Sequence, residues 1–381
     1  MNLLTIGRVD KSVFEEGSAE RTRIANYGKL FDRLVIVAFF PKKAGFIATK
    51  IAPNVEVIPT NSLTIFLFPW SAYRIVKKLF SEGDAQKEQW VVSAQDPFES
   101  GIAVYAVSRQ FRIPFHIQIH TDVMSPFFGA ESFKNKIRQM LAQYILRKAD
   151  GIRVVSRRIF QSLVSFDKSL EKKIVVLPIY VRTHVNTHTF AKQEIRHEWQ
   201  HFDFLFLMMS RLTREKDFPM AISAMKRVIH HHPRVGLLIV GDGPEKKKLE
   251  RLVSSANLYE HIIFVPRTED IAYYYKMCDA FLITSRYEGY GRTAIEALSE
   301  GKPVIMTDVG AAGWIVQDHD NGLIVPVGDN DACAKALISF IDDRVLRHRL
   351  QESAHDPVPF TMTEERYNEL YRASIESLIV K

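Results

Sequence analysis

Short apolar runs separated by helical stretches recur in two series along this sequence, and that rhythm leaves few folds open. In the first half the runs fall at 3–6, 34–39, 55–58, 90–94, 115–119, 151–155 and 174–177. Runs of this length suit strands buried on both faces, and the helical stretches between them are the crossovers that parallel strands require. The second half predicts strands at 204–209, 235–240, 262–265, 279–283, 303–306 and 322–325. Helices are expected there near 218–230, 244–255, 270–277, 292–300 and 331–341. A polar, His-rich stretch at 182–200 interrupts the alternation and reads as an interdomain linker. The fold class is therefore α/β, with two doubly wound Rossmann-like domains at 1–185 and 201–355. A helix over 361–381, after Pro357 and Pro359, is expected to cross back and brace the first domain. Ligands of such sheets bind beyond the carboxyl ends of the strands, so a cleft between two facing domains is the expected site.

The 381 residues leave room for two domains at about 150 residues each. With 46% hydrophobic and 25% charged residues, and no long uninterrupted apolar stretch, the chain reads as a soluble globular protein. The opening residues 1–8 meet Arg8 and Asp10 before a signal-peptide core could form, so they read as a strand of a cytoplasmic protein. Cys278 and Cys333 have no partner at metal-ligand spacing and are expected to be buried apolar residues. The net charge of +7 is unevenly spread: residues 1–200 hold 29 Lys and Arg against 18 Asp and Glu, residues 201–381 hold 22 against 26. A basic half suits an anionic substrate or membrane face, whereas no nucleic-acid-binding signature accompanies it. Residues 62–80 join an apolar, aromatic stretch to Arg74, Lys77 and Lys78, a composition that also fits a bilayer interface. The plainer reading is a surface helix interrupted by Pro69, with Ile75, Val76, Leu79 and Phe80 as its core stripe. In the helix expected over 133–149, Phe133, Ile137, Met140, Leu141, Tyr144 and Ile145 fall on one face, which should be the buried one.

The most informative stretch is SRYEGYGRTAIEALSEG at 285–301, directly after an apolar strand. A glycine-rich turn entering a helix presents unpaired N–H groups and a positive dipole end, which suits phosphate oxygens. Gly289, Tyr290, Gly291, Arg292 and Thr293 are placed for that role. Glu288 precedes the turn and Glu296 is expected in the first turn of the helix. Carboxylates repel phosphate, so hydroxyl groups are their natural partners, and a diphosphate flanked by two polyols is a nucleotide sugar. Earlier in the same half, Arg211 and Lys216 follow one strand and precede a helix, where two cations can neutralise a diphosphate. The plainer alternative leaves Glu288 at a loop end and Glu296 merely suited to a helix N-terminus.

Arg211 with Lys216, Gly241-Asp242-Gly243-Pro244, and Glu288-x7-Glu296 followed by Gly301-Lys302-Pro303 together resemble the retaining glycosyltransferases of family four, which have the GT-B fold. The resemblance spans nearly the whole chain and is strongest over 204–328. It implies that Arg211 and Lys216 hold a donor diphosphate, Glu288 faces the transferred sugar, and Glu296 holds the ribose hydroxyls. It further implies that amides of 289–291 assist, that Arg267 lies near the base, and that His120 stands near the donor sugar. Gly17 and Ser18 occupy an acceptor-side loop where relatives often carry two glycines. Further departures are Pro266, where a glycine is common, and Trp314, where relatives often have Glu. The expected activity is transfer of a hexose-type sugar from a UDP- or GDP-sugar to a saccharide or lipid-linked saccharide of cell-surface glycan biosynthesis, with peripheral membrane attachment possible on the inner face. No convincing nucleophilic carboxylate is present for double displacement. The resemblance therefore implies a front-face route.

No cofactor or metal is expected. Asp318-His319-Asp320 and Asp329-Asn330-Asp331 both match a metal-binding D-x-D pattern, but a turn and a helix cap explain them locally. His230-His231-His232 cannot present adjacent rings on one helix face. Gly241-Asp242-Gly243 lacks the third glycine of a dinucleotide fingerprint, since position 246 is Lys. Two rivals remain: a sugar-nucleotide epimerase of the same fold, which would convert donor without acceptor, and a non-catalytic scaffold subunit, which would bind no nucleotide.

Overall fold

The computed structural model describes residues 1–82, 88–181, 199–268, 270–354 and 362–379. The chain divides into two compact units, Met1–Pro178 with Met362–Lys381, and Ile179–Thr361. Nearly all of the expected linker, residues 182–198, lies outside the described residues, as do Pro357 and Pro359.

The first unit is built on strands β1 (Asn2–Gly7), β2 (Arg33–Ala38), β3 (Thr49–Ala52), β4 (Val55–Pro59), β5 (Trp90–Ala94), β6 (Phe115–Ile119), β7 (Gly151–Val154) and β8 (Ile174–Val176). Their order across the sheet is β3-β4-β2-β1-β5-β6-β7-β8. All pairings are parallel except β3 with β4, an antiparallel edge that the sequence pattern does not suggest. β1 is buried throughout, and Leu3, Leu4 and Ile6 supply most of its apolar character. Strand order reverses between β1 and β5, so the carboxyl ends of these two strands frame the crevice where such sheets take ligands.

The second unit carries β9 (Phe204–Met209), β10 (Val235–Val240), β11 (Ile262–Val265), β12 (Ala280–Ile283), β13 (Val304–Thr307) and β14 (Gly322–Val325). All are parallel, in the order β11-β10-β9-β12-β13-β14. The reversal here lies between β9 and β12, which pair through Ala280 with Phe206 and Phe281 with Leu207. A core of Phe206, Met208, Met225, Leu237, Leu337 and Phe340 packs the helices onto one face of this sheet. Cys278 and Cys333 are buried thiols, as expected. Helix Arg344–Ala354, absent from the sequence pattern, seats Leu346 and Leu350 in the same core.

Two expectations about helices need correction. Pro69 does not interrupt a helix: Phe68–Glu82 is continuous, and Pro69 stands in its first turn, where no intrahelical N–H is needed. In helix Phe133–Lys148 the buried residues are Asn135, Ala142, Ile145 and Leu146, whereas Phe133, Ile137, Met140 and Tyr144 are exposed. The expected core face is thus largely an outer face, because periodicity alone cannot tell a core from an uncovered surface.

Helix Glu364–Glu376 belongs to the first unit. It is held there by a polar seam that crosses the sheet interior. The buried Arg153 guanidinium donates to the carbonyls of Leu177 and Pro178 and to Gln118 Oε1, and it lies against the Tyr367 and Tyr371 rings of that helix. Gln118 in turn donates to the Tyr371 hydroxyl at 3.1 Å. Among the described residues no helix is long and apolar enough to cross a membrane.

Candidate functional site

The donor-site candidates of the second unit lie beyond the carboxyl ends of its strands. Arg211 lies just after β9, and Lys216 closes a 3-10 turn, Arg214–Lys216. Glu288 follows β12. Lys216 and Glu288 are 72 positions apart, yet Lys216 Nζ donates to Glu288 Oε1 at 2.5 Å. Ser285 Oγ donates to the same oxygen at 2.8 Å.

Three links bring the two loops together. Thr284 Oγ1 lies 3.0 Å from the carbonyls of both Lys216 and Asp217. The Arg286 amide donates to the Glu215 carbonyl at 2.8 Å. The Arg286 guanidinium forks onto the buried Asp217 carboxylate at 2.9 and 3.4 Å. Thr307 Oγ1 then ties the Ser285 carbonyl to the end of β13. These supporting residues carry no sequence signal beyond their position after a strand.

The glycines of 241–243 have a steric task. A Cβ on Gly241, whose φ is +148, would fall 2.0 Å from the Ser210 carbonyl oxygen. One on Gly243 would fall 2.4 Å from the Leu212 carbonyl oxygen. This bare backbone lets the loop after β10 lie flush on the Arg211 loop, joined by Leu212 N–H to the Asp242 carbonyl at 2.9 Å. Arg211 itself projects outward, with its guanidinium 3.9 Å from Glu215 and 82% of its side chain exposed.

The glycine-rich turn enters helix Arg292–Ser299, with Gly291 as an N-cap of positive φ and no side chain capping the first amides. The open end of an uncapped helix is an anion site in waiting. Tyr290 and Gly291 are buried, and the Tyr290 ring lies 6.1 Å from that of Trp314. Burial raises the Tyr290 phenol well above its ordinary range, so Tyr290 offers a ligand its backbone rather than an ionised side chain. Gly310, at φ +55, backs the turn: a Cβ there would stand 2.8 Å from Glu288 Cβ and 3.3 Å from the Tyr290 carbonyl.

Glu296 lies in the second turn of the helix, not the first, and is only 8% exposed. Arg292 Nε donates to its Oε1 at 2.6 Å and the Tyr275 hydroxyl to its Oε2 at 3.1 Å. Burial, with the Glu296 charge beside it, keeps the Tyr275 phenol protonated, so it remains a donor. A carboxylate has about four acceptor positions. Two are used here, which leaves Glu296 able to accept from a ligand's hydroxyls. The Thr293 carbonyl also lies 3.3 Å from the Tyr275 hydroxyl.

Arg267 is exposed after β11, at the edge of the sheet. From β11 to β12 is three strand spacings, about 14 Å. Arg267 is thus set apart from the Lys216, Glu288 and Glu296 group. One carboxylate of each D-x-D segment has local work: Asp329 caps helix Asn330–Asp342 through the Ala332 amide, and Asp318 accepts from the Ile324 amide. Beside the group lies a cavity of about 360 Å³ lined by Thr213, Arg214, Asp217, Glu245, Lys248 and Arg286 among others.

The remaining candidates belong to the first unit. His120 follows β6, and burial, with the Arg153 and Arg23 cations, lowers its pKa to about 3. Its imidazole is therefore neutral at physiological pH. Ser18 caps helix Ala19–Gly28: its Oγ accepts from the Arg21 amide at 3.1 Å and donates to the Ser12 carbonyl at 2.6 Å. Serine in place of a second glycine thus secures the helix start that follows Gly17.

The family described as Glycosyl transferases group 1 matches residues 190–356, nearly all of the second unit. The lipopolysaccharide core biosynthesis glycosyltransferase LpsE of Rhizobium meliloti is 28% identical over 165 residues, which are 43% of this chain and 47% of LpsE. This alignment thus spans about half of that relative. The alpha-monoglucosyldiacylglycerol synthase of Acholeplasma laidlawii is 23% identical over 340 residues, 84% of this chain and 81% of that protein. Among solved structures, Anabaena Alr3699/HepE in complex with UDP-glucose superposes with a TM-score of 0.76 at 20% identity, covering 99% of this chain and all of that one. The two Rossmann-like sheets and this superposition agree on the GT-B fold, and residues 190–356, within the second unit, match the group 1 glycosyl transferases.

Proposed function

We propose that this protein is a retaining glycosyltransferase. In this reading it moves a hexose-type sugar from a nucleoside-diphosphate sugar, UDP- or GDP-linked, to a saccharide or lipid-linked saccharide of cell-surface glycan biosynthesis. The observation that carries the reading is the group at the β9 and β12 ends, where Lys216, Glu288 and Ser285 meet beside the open helix end that leads to Glu296. The named roles of LpsE in lipopolysaccharide core synthesis and of the Acholeplasma enzyme in glycolipid synthesis support the acceptor class, and the UDP-glucose bound by HepE supports the donor class.

Arg211, Lys216 and the amides of Gly289 to Thr293 would hold the diphosphate, with Arg292 at its flank. Glu288 would accept from sugar hydroxyls, Glu296 from ribose hydroxyls, and Arg267 would meet the base. These cations make a metal unnecessary for neutralising the diphosphate. Neutral His120 would orient the transferred sugar by hydrogen bonding rather than as an acid, and Gly17 with Ser18 would lie on the acceptor side. Glu288 is a poor nucleophile, because one of its oxygens accepts from both an ammonium and a hydroxyl. The route proposed is therefore front-face: the acceptor oxygen bonds to the anomeric carbon as the bond to the diphosphate oxygen breaks. The acceptor proton passes to that departing oxygen, whose charge Lys216, Arg211 and the helix end stabilise.

The test is to incubate the protein with α-linked UDP- and GDP-hexoses and saccharide or glycolipid acceptors, then read the new linkage by proton NMR. An α product is expected. A β product would refute retention, and conversion of donor to its epimer without acceptor would establish the epimerase reading instead.

A further inference from the structure

In the first unit, three helices lie side by side on one sheet face: Phe68–Glu82 packs on Glu99–Phe111, which packs on Phe133–Lys148. Each lies in the connection between successive parallel strands, so its N-terminus lies at the carboxyl edge of the sheet. At that edge the two outer helices present apolar side chains to solvent. Phe66 is 86% exposed in the turn entering the first of them, beside Leu63 and Trp70. Phe133 is 79% exposed at the start of the third, and Ile137 and Met140 continue its stripe. Two helix spacings of 8–10 Å place these clusters roughly 20 Å apart. An apolar surface divided in this way does not suit a single peptide groove, but it does suit a plane.

The charge around the clusters selects the plane. Residues 62–80 and 123–149 hold eight Lys or Arg and one Asp or Glu, Glu131. Arg138 and Arg147 are paired with Glu99 and Asp167, respectively. Lys134 and Lys136 are exposed beside Phe133, and Lys77 and Lys148 are exposed farther along the two helices. Aromatic and aliphatic side chains rimmed by lysines match the interface of a bilayer bearing anionic head groups. We infer that this protein docks reversibly on an anionic membrane through two contact points, 63–70 and the outer stripe of helix Phe133–Lys148.

This deepens the lipid-linked acceptor reading, on which it rests, by naming the surface where such an acceptor is met. Vesicle binding needs neither donor nor acceptor, so the docking face and the transfer reaction can fail separately. The experiment is flotation of the full chain with phosphatidylcholine vesicles, with and without phosphatidylglycerol. It is repeated for Phe66→Ser with Trp70→Ser, for Phe133→Ser with Met140→Ser, and for Lys134→Glu with Lys136→Glu. All six positions are exposed, and circular dichroism checks that each variant is folded. The wild type is expected to float with the anionic vesicles, and each double variant to bind about tenfold more weakly. No flotation of the wild type, or a loss confined to one of the two apolar pairs, would overturn the two-point face. A dimer in sedimentation that either apolar pair dissolves, without vesicle binding, would assign the face to a second copy and also overturn it.

Discussion

Replacing Glu288 with Gln should tighten the binding of a free nucleoside diphosphate while abolishing transfer. Lys216 Nζ is 2.5 Å from Glu288 Oε1, and a phosphate oxygen held by the same ammonium would lie about 4.5 Å from that carboxylate oxygen. Two negative charges at that separation repel by about 3.7 kcal/mol at an effective dielectric constant of about 20. The Lys216 and Glu288 side chains are 19% and 14% exposed, and solvent screening brings the net effect to about 1–2 kcal/mol. The expected dissociation constant of UDP or GDP in Glu288→Gln is therefore about tenfold lower than in the wild type. Gln keeps the length of the side chain and can still accept from Ser285. Isothermal titration calorimetry of the diphosphate measures the affinity, and a coupled assay with the intact donor measures transfer. Unchanged or weaker diphosphate binding would refute the placement of the phosphate on Lys216.

Other substitutions test the supports. Arg153→Ala leaves the Leu177 and Pro178 carbonyls and Gln118 Oε1 without their donor, and should destabilise the first unit by about 3–5 kcal/mol in urea unfolding. Gly241→Ala drives a Cβ into the Ser210 carbonyl, so a loss of at least about 2 kcal/mol in thermal unfolding is expected, with weaker diphosphate binding. The buried His116 beside Ser93 has its pKa lowered to about 3 by burial first and Arg153 second. Its unfolded form takes up a proton below about 6.5 while the folded form does not, so stability falls as pH drops from 6.5 towards 3. His116→Gln should flatten that decline in pH-dependent melting; an identical slope in both proteins would show that His116 is not its source.

Most strands are legible in the sequence because most are largely buried on both faces and therefore read as apolar runs. The antiparallel edge strand β3 is not, since Thr49-Lys50-Ile51-Ala52 is short and half exposed. Helix Phe133–Lys148 is legible in its place but not in its orientation, because its apolar stripe is the side left uncovered. The polar seam has a faint signal: His116, Gln118 and Arg153 interrupt apolar strands, the first two at alternating positions that share a face. At the candidate site, Lys216, Glu288 and Glu296 are readable from motif spacing. Ser285, Asp217 and Tyr275 are not, because what they do depends on loops joined across the sheet reversal between β9 and β12.

The central claim is that a nucleotide sugar is held at the carboxyl edge of the second sheet with Glu296 on its ribose. The most direct measurement is the thermal shift of the protein with UDP, GDP, ADP and their sugar conjugates, repeated with Glu296→Ala. A ligand at about 100 times its dissociation constant adds about 2.7 kcal/mol to the folded state. The account predicts a shift with one base that Glu296→Ala largely removes. An equal shift in the variant, or none with any nucleotide, would contradict it.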